Sequence, residues 1–336
     1  MPQVVTLGDI NIDIIASIPR YPSPGGDGLA ERAEVHSGGS AANTATVLAN
    51  FGVDVSIIGR VGRDVFAEQA LACLAEAGVD LSCVQRDEKA ITGIMFIPVT
   101  PDGERTLFGY RGANSRLEPA LLDEGYIAQA DVFHLSGYAL LAEPQRSAVR
   151  RAVEMAHRAG VTISLDVGLQ AAVKATEEVK ALSPLVDLIF PNQAEAKHLT
   201  GSSDVREVVR ALLNYGIETV ALKLGERGCA VGSEGEIFSV PAFAVEVQDT
   251  TGAGDSFDAG FILGRLGGLD VRESAILANA LGALAASAVG AGDALPGPEK
   301  ARVLLQGCLS DPAWRHWERE VNRILERLSA EGKGGG

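Results

Sequence analysis

The residue types with the most chemistry lie in one stretch, Asp249-Thr250-Thr251-Gly252-Ala253-Gly254-Asp255-Ser256-Phe257. Its two glycines let successive backbone N–H groups turn toward a common point, and the small and apolar residues that follow (Phe257, Gly260, Phe261, Leu263, Gly264, Leu266) predict a helix starting there. Ahead of it, Ile237, Val240, Phe243, Val245 and Val247 sit among polar residues and predict a strand. A strand that feeds a helix through Gly-Ala-Gly aims N–H groups outward at the positive end of the helix dipole, which makes an anion site. Asp255 sits just inside that turn. A carboxylate there is either a plain partner of the helix dipole or a base acting beside the bound anion.

Other polar groups have suggestive spacing. Asp9, Asn11 and Asp13 alternate with Ile10, Ile12 and Ile14, so an extended chain puts the polar side chains on one face and the isoleucines on the other. D-x-N-x-D is also how a calcium loop begins, but Ile14 stands where that loop needs Gly, so calcium is rejected. Ser37-Gly38-Gly39-Ser40-Ala41-Ala42-Asn43-Thr44-Ala45 places two glycines before a Ser N-cap and a helix running to about Asn50. That pattern suits a close backbone approach to a ligand or a merely tight turn. Asn192 and Glu195 are three apart at a helix start, where they share a face, and such a pair is also a common helix cap. Lys223-Leu224-Gly225-Glu226-Arg227-Gly228 ends a strand in a flexible turn, which an ordinary hairpin would also explain. Asn279 falls in an apolar helical pattern over 275–289 and needs a partner there.

Several chemistries are absent. No G-x-x-x-x-G-K-[ST] occurs, no H-R-D or D-F-G set marks a protein kinase, and no G-x-S-x-G elbow is present. His36, His134, His157, His198 and His316 lack metal-ligand spacing, and Cys73, Cys83, Cys229 and Cys308 form no C-x-x-C pair. The cysteines read as reduced, mostly buried thiols. The net charge of −15 argues against nucleic acid or an anionic membrane as partner, because phosphate-rich surfaces need Lys and Arg. With 46% hydrophobic and 22% charged residues in 336, the chain is expected to build a sizeable core. No basic leader or membrane-length apolar window is seen, so a cytoplasmic location is expected.

The elements that must position these groups alternate along the chain. A buried strand is predicted at 4–8, another at 55–59, and a helix over 64–77. From Asp131 onward strands are predicted at 131–135, 162–166, 186–190 and 218–223, with helices at 143–159, 192–200 and 204–214. Such alternation implies a mainly parallel sheet covered on both faces, with ligands at the carboxyl ends of its strands, where Asp166 and Asn192 lie. Segments near 10–18, 29–36, 91–99 and 104–111, the last two around a Pro101-Asp102-Gly103 turn, suggest a second small sheet. A last amphipathic helix is expected from Trp314 to Leu328, and residues 331–336 are expected to be a disordered tail.

The stretch Asp249–Phe257 resembles the C-terminal signature of the ribokinase-like (PfkB) family of small-molecule kinases. Ser37–Ala45 is similar to its N-terminal glycine signature, Gly59-Arg60-Val61-Gly62-Arg63-Asp64 to a further one, and Asn192-Gln193-Ala194-Glu195 to its N-x-x-E motif. The resemblance implies a single domain over 1–330, a three-layer α/β/α sandwich with a mainly parallel central sheet, and a small β-sheet lid that sometimes pairs subunits, so a homodimer through the lid. It implies phosphorylation of a hydroxymethyl group on a sugar or sugar acid with ATP and Mg2+. Asp255 would be the base and Gly252, Ala253 and Gly254 the anion hole. Asn11, Asp13, Gly38, Gly39, Asn43 and Arg111 would hold the acceptor. Asn192, Lys223, Gly225, Gly228 and Asn279 would lie on the nucleotide side. Glu195 would act on magnesium through water, and Asp249 and Thr251 would help hold a monovalent cation, K+. Arg105 and Arg111 would meet an acidic sugar, or else be solvated or subunit-facing arginines. Ser40-Ala41-Ala42 differs from the Lys-Gly-Ala usual in ribokinases, which puts ribose itself in doubt. A nucleoside acceptor, stacked on Phe108 or Tyr110, is the alternative within the fold. A non-catalytic sugar or nucleotide sensor is disfavoured by the presence of Asp255.

Overall fold

The computed structural model describes residues 3–102, 104–288, 290 and 295–331. Its strands are β1 (Val4–Leu7), β2 (Asn11–Ser17), β3 (Arg32–Gly38), β4 (Val55–Val61), β5 (Val84–Arg86), β6 (Gly93–Val99) and β7 (Phe108–Tyr110). They continue with β8 (Val132–Ser136), β9 (Thr162–Asp166), β10 (Leu188–Phe190), β11 (Thr219–Lys223), β12 (Cys229–Ser233) and β13 (Glu236–Val240). Among the described residues, nine strands form one sheet in the order β13-β12-β11-β10-β9-β8-β1-β4-β5. The run from β11 to β5 is parallel, and β12 and β13 add an antiparallel edge.

Both faces of this sheet are apolar, as parallel strands covered by helices require. Period-two alternation sends Val5, Leu7, Ile163 and Leu165 into one core, with the helices Gln145–Ala159 and Val205–Leu213. Val4, Ile57, Phe190 and Val231 enter the other, with the helices Ser40–Asn50, Ala253–Leu266 and Val271–Ala286. Each fully buried side chain of this kind contributes roughly 1.5–3 kcal/mol by its removal from water. β3-β2-β6-β7 form a separate four-stranded sheet, the lid, joined by register pairs such as Asp13↔His36 and Asp13↔Met95.

Some expected boundaries move for identifiable reasons. The strand expected to reach Val247 stops at Val240, because Pro241 has no N–H to continue a ladder and Val247 is 62% exposed. Phe243 is buried instead by stacking on Trp314, ring centroids 4.1 Å apart. Trp314 belongs to a short 3-10 turn, Pro312–Trp317, and the last helix begins at Glu318 and still contains Glu331. β3 starts at Arg32 rather than near Leu29, which is 88% exposed, and it runs on through Ser37 and Gly38. The apolar helix expected over 275–289 spans Val271–Ala286, started by an Asp270/Glu273 capping box. Helices Leu169–Lys174, Thr176–Leu182 and Pro298–Cys308 had no counterpart in the sequence reading. Gly103 and residues 332–336 of the expected tail lie outside the described residues. Among the described residues no helix is long and apolar enough to cross a membrane, and no cysteine is in a disulfide.

Candidate active site

The glycine-rich turn opens the helix Ala253–Leu266, with Gly252 as its N-cap at φ 72°, a left-handed conformation that favours glycine. Asp255 occupies the first turn. Asn43, from the helix Ser40–Asn50, donates its Nδ2 to Asp255 Oδ2 at 2.7 Å, and the Thr44 hydroxyl donates to the Asp255 carbonyl at 3.4 Å. The Ala253 N–H closes back on the Thr250 carbonyl at 3.2 Å. Burial, then the charge of Asp166, pushes the Asp255 carboxyl up to about 6, against the pull of the Asn43 hydrogen bond and the Lys223 ammonium. A carboxylate poised there can accept a proton near neutral pH.

A buried cation stands beneath this turn. Lys223, the last residue of β11, places Nζ 3.0 Å from Asp166 Oδ1 and 3.0 Å from Asp258 Oδ1. A Cβ built on Gly254 would lie 3.4 Å from the same Nζ. Burial works to lower the lysine's proton affinity, and Asp166 and Asp258 together raise it well above its usual value. Asp166, at the end of β9, also accepts from the Ser40 hydroxyl at 2.9 Å. Asp258 lies one helical turn beyond Asp255 and is fully buried.

Asn192 caps the helix Gln193–Thr200 in a complete capping box. Its N–H donates to Glu195 Oε2 (2.8 Å), its Nδ2 to Glu195 Oε1 (2.7 Å), and its Oδ1 accepts from the Glu195 N–H (3.0 Å). Burial, followed by Asp166, pushes Glu195 up to about 7. Asp166, Glu195, Asp255 and Asp258 therefore converge around Lys223 with negative charge in excess. That excess suits a cation bound beside them. Among the described residues no group of three or more ligating side chains is close enough to cage a metal. Magnesium suits that excess of negative charge, because it keeps its waters and takes phosphate oxygens.

Of the residues expected on the acceptor side, Asn11, Asp13, Gly38 and Gly39 lie on β2, at the end of β3 and in the turn that follows it. Asn11 and Asp13 share a face of β2, and Asn11 Oδ1 accepts from Asn114 Nδ2 at 2.7 Å. Gly38 and Gly39 have no room for a side chain: a Cβ on Gly38 would sit 2.3 Å from Asp13 Oδ2, and one on Gly39, at φ 105°, 2.2 Å from the Asp9 carbonyl. Burial, then Asp255, pushes Asp13 up to about 7, while Arg105 pulls it back. Arg111 is tied to the protein through Nε and Nη2, while its Nη1 is buried without a hydrogen-bond partner among the described residues. It grips Asp9 through Nε (3.0 Å) and Nη2 (2.7 Å) and donates to Gln145 Oε1 (2.5 Å). Arg105 crosses from the lid to donate to Asp249 Oδ1 and Thr251 Oγ1.

Gly225 and Gly228 bound a short 3-10 segment within the antiparallel β11–β12 hairpin. Asn279 donates Nδ2 to the carbonyls of Val240 (3.3 Å) and Pro241 (3.0 Å), fixing the exit of β13. Sequence reasoning missed Ser40, Asp258, Asn114 and Gln145 as members of these networks. Asp258 carried a signal: an acid three residues after Asp255 on an otherwise apolar helix needs a buried partner.

Comparison with known proteins gives a concordant result. The chain is 35% identical over 292 residues to an ATP-dependent ribose-1-phosphate kinase of Halopiger xanaduensis, covering 87% of this chain and 94% of that protein. It is 33% identical over 311 residues to fructokinase-1 of Oryza sativa subsp. japonica, again covering 87% and 94%. A crystal structure from E. coli, described as a ribokinase II in complex with ATP and Mg2+, matches with a TM-score of 0.83 at 26% identity, covering 91% of this chain and all of that one. The pfkB family carbohydrate kinase model matches residues 1–298. The chain belongs to the pfkB family of carbohydrate kinases.

Proposed function

We propose that the protein transfers the γ-phosphoryl group of ATP to a hydroxymethyl group of a sugar or sugar acid. The observation that carries the reading is the Asp255 carboxylate, held by Asn43 in the first turn after Gly252, within electrostatic reach of Asp13. Asp255 takes the proton of the acceptor hydroxyl, and that oxygen forms a bond to the γ-phosphorus. The bond to the bridging oxygen breaks, and its electron pair leaves with ADP. Backbone N–H groups of Gly252 and Gly254 stabilise the developing charge, each worth roughly 2.7–4 kcal/mol if acyl-transfer sites are a guide, while the Ala253 N–H, bonded to the Thr250 carbonyl, holds the turn that aims them. Asn11, Asp13, Gly38, Gly39 and Asn43 hold the acceptor. Gly225 and Gly228 border the nucleotide, with Asn192, Lys223 and Asn279 supporting that side. Magnesium, reached by Glu195 through water, would neutralise phosphate charge.

The acceptor is read as a sugar rather than a nucleoside because of the lid's pleat. Phe108 pairs with Phe96 and Tyr110 with Ile94, whereas Gly109 pairs with Met95, the register partner of Asp13. The aromatic rings therefore lie on the face opposite Asp13, where they cannot stack a base bound beside it. The same outer face exposes Val35, Phe96, Phe108 and Tyr110, and we assign it to a second copy of this chain. Replacing Asp255 with Asn is expected to lower turnover by about 10²- to 10⁴-fold while calorimetric ATP binding persists. Thermal-shift screening of sugars, sugar acids and nucleosides with ATP·Mg2+, then ADP release on the hits, names the acceptor. Full activity of Asp255→Asn would refute the mechanism.

A further inference from the structure

The resemblance to ribokinase-like kinases implies a monovalent cation at Asp249 and Thr251, and the residues present do not fit one. Asp249 is buried, and its carboxylate accepts four hydrogen bonds. Oδ1 accepts from the Thr251 N–H (2.9 Å), the Thr251 hydroxyl (2.8 Å) and Arg105 Nη1, and Oδ2 accepts from the Gly290 N–H (2.8 Å). Arg105 also donates to Thr251 Oγ1, so one guanidinium group meets both side chains that the ion would use. The lid also meets Gly290, beyond the helix Val271–Ala286, because a Cβ there would lie 3.1 Å from His36 Cε1 of β3. Arg105 is itself anchored to the lid sheet by an antiparallel bridge to Val99.

We infer that Arg105 replaces the monovalent cation: a lid arginine supplies the positive charge that holds the Asp249–Gly254 turn in shape, and the enzyme works without K+. A guanidinium cannot share this carboxylate with a second cation a few ångströms away without like-charge repulsion, and its Nη1 alone meets both Asp249 Oδ1 and Thr251 Oγ1. Arg105 is thus a positioning residue. It acts on the anion hole through Asp249 and Thr251, and it ties the shape of that hole to the closed position of the lid. The inference rests on the kinase reading for its catalytic consequence but not for its ion-binding one.

The test compares wild type and Arg105→Gln in KCl, NaCl and tetramethylammonium chloride at equal ionic strength, by ADP release and, on the apo-protein, by thermal shift. Wild type is expected to turn over equally in all three salts and to show no K+-specific thermal shift. Arg105→Gln is expected to lose about 10²-fold in kcat in tetramethylammonium, as for a misplaced catalytic loop, with KM for ATP little changed. KCl is expected to restore much of that loss and to raise the variant's melting temperature above its value in NaCl. K+ activation of the wild type would overturn the inference. So would a variant that no ion rescues, since Arg105 would then serve the substrate, or a variant with undiminished activity. Because the thermal shift needs no turnover, a failed kinase assignment leaves a K+-specific shift in Arg105→Gln intact, and the two failures are distinguishable.

Discussion

Replacing Lys223 with Met probes the charge balance under the anion hole. Nζ lies 3.0 Å from both Asp166 Oδ1 and Asp258 Oδ1. At an effective dielectric of about 20, each contact is worth about 5–6 kcal/mol in gross Coulomb energy. Desolvation of three charges offsets most of that gain, yet removing one partner of a buried pair still costs about 3–5 kcal/mol, because the other charges stay buried. Lys223→Met is therefore expected to lose about that much stability in urea unfolding. Adding Asp258→Asn should recover part of it by removing one stranded carboxylate. The catalytic readout has a definite sign. A base stops working as pH falls through its pKa, so the acid limb of kcat/KM should lie near 6, where Asp255 is held. Lys223 lowers that value and Asp166 raises it. Lys223→Met should move the limb to higher pH, and Asp166→Asn should move it to lower pH. A pH series of ADP release with both variants decides the matter. Shifts in the same direction, or none, would refute the assignment of Asp255 as the titrating base.

Asp13 is pushed up to about 7 from 3.8 by burial and Asp255, so the folded state holds a proton that the unfolded chain releases. The resulting stability is complete below about pH 4 and is lost as pH rises through 7. Asp13→Asn should therefore stabilise the apo-protein by about 2.6 kcal/mol more at pH 8 than at pH 5, read by urea unfolding at the two pH values, and an equal effect at both would contradict it. Phe108→Asp on the outer lid face is expected to convert a dimer to a monomer in sedimentation velocity, and a monomeric wild type would dispose of that interface.

Local features of the site were legible because they are written in short spacings. Gly252 needed a left-handed turn, Asn192 and Glu195 were three apart, and the Asp9–Ile14 alternation fixed which face of β2 is polar. Partners far apart in the chain were not legible. Nothing in the spacing of Lys223, Asp258 and Asp166 says that one ammonium will satisfy two acids. Arg111 and Arg105 looked equivalent, two lid cations facing an unknown substrate. The fold gives one to Asp9 and Gln145 and the other to Asp249 and Thr251. The overlong strand toward Val247 failed for a related reason: alternating apolar residues read as sheet, but Phe243 finds its cover in a helical layer, on Trp314. Periodicity reports that a side chain is buried without reporting by what.

The electrostatics of the site explain how a chain of net charge −15 can serve a polyanionic substrate. Global charge governs long-range steering, whereas binding is decided by the groups within a few ångströms. There the acids outnumber Lys223, and Asp13, Glu195 and Asp255 hold protons up to between about 6 and 7 because their charges are crowded and poorly hydrated. Nucleotide phosphate without a counter-ion would add to that crowding. A phosphate-bound divalent cation would relieve it, drawing Glu195 back toward its charged form through the intervening water. The backbone N–H groups of Gly252 and Gly254 complement this because they offer positive potential without a titrating group. On the proposed reading the site keeps its base, Asp255, beside an anion hole made of uncharged donors, and it leaves neutralisation of phosphate charge to the metal and of Asp249 to Arg105.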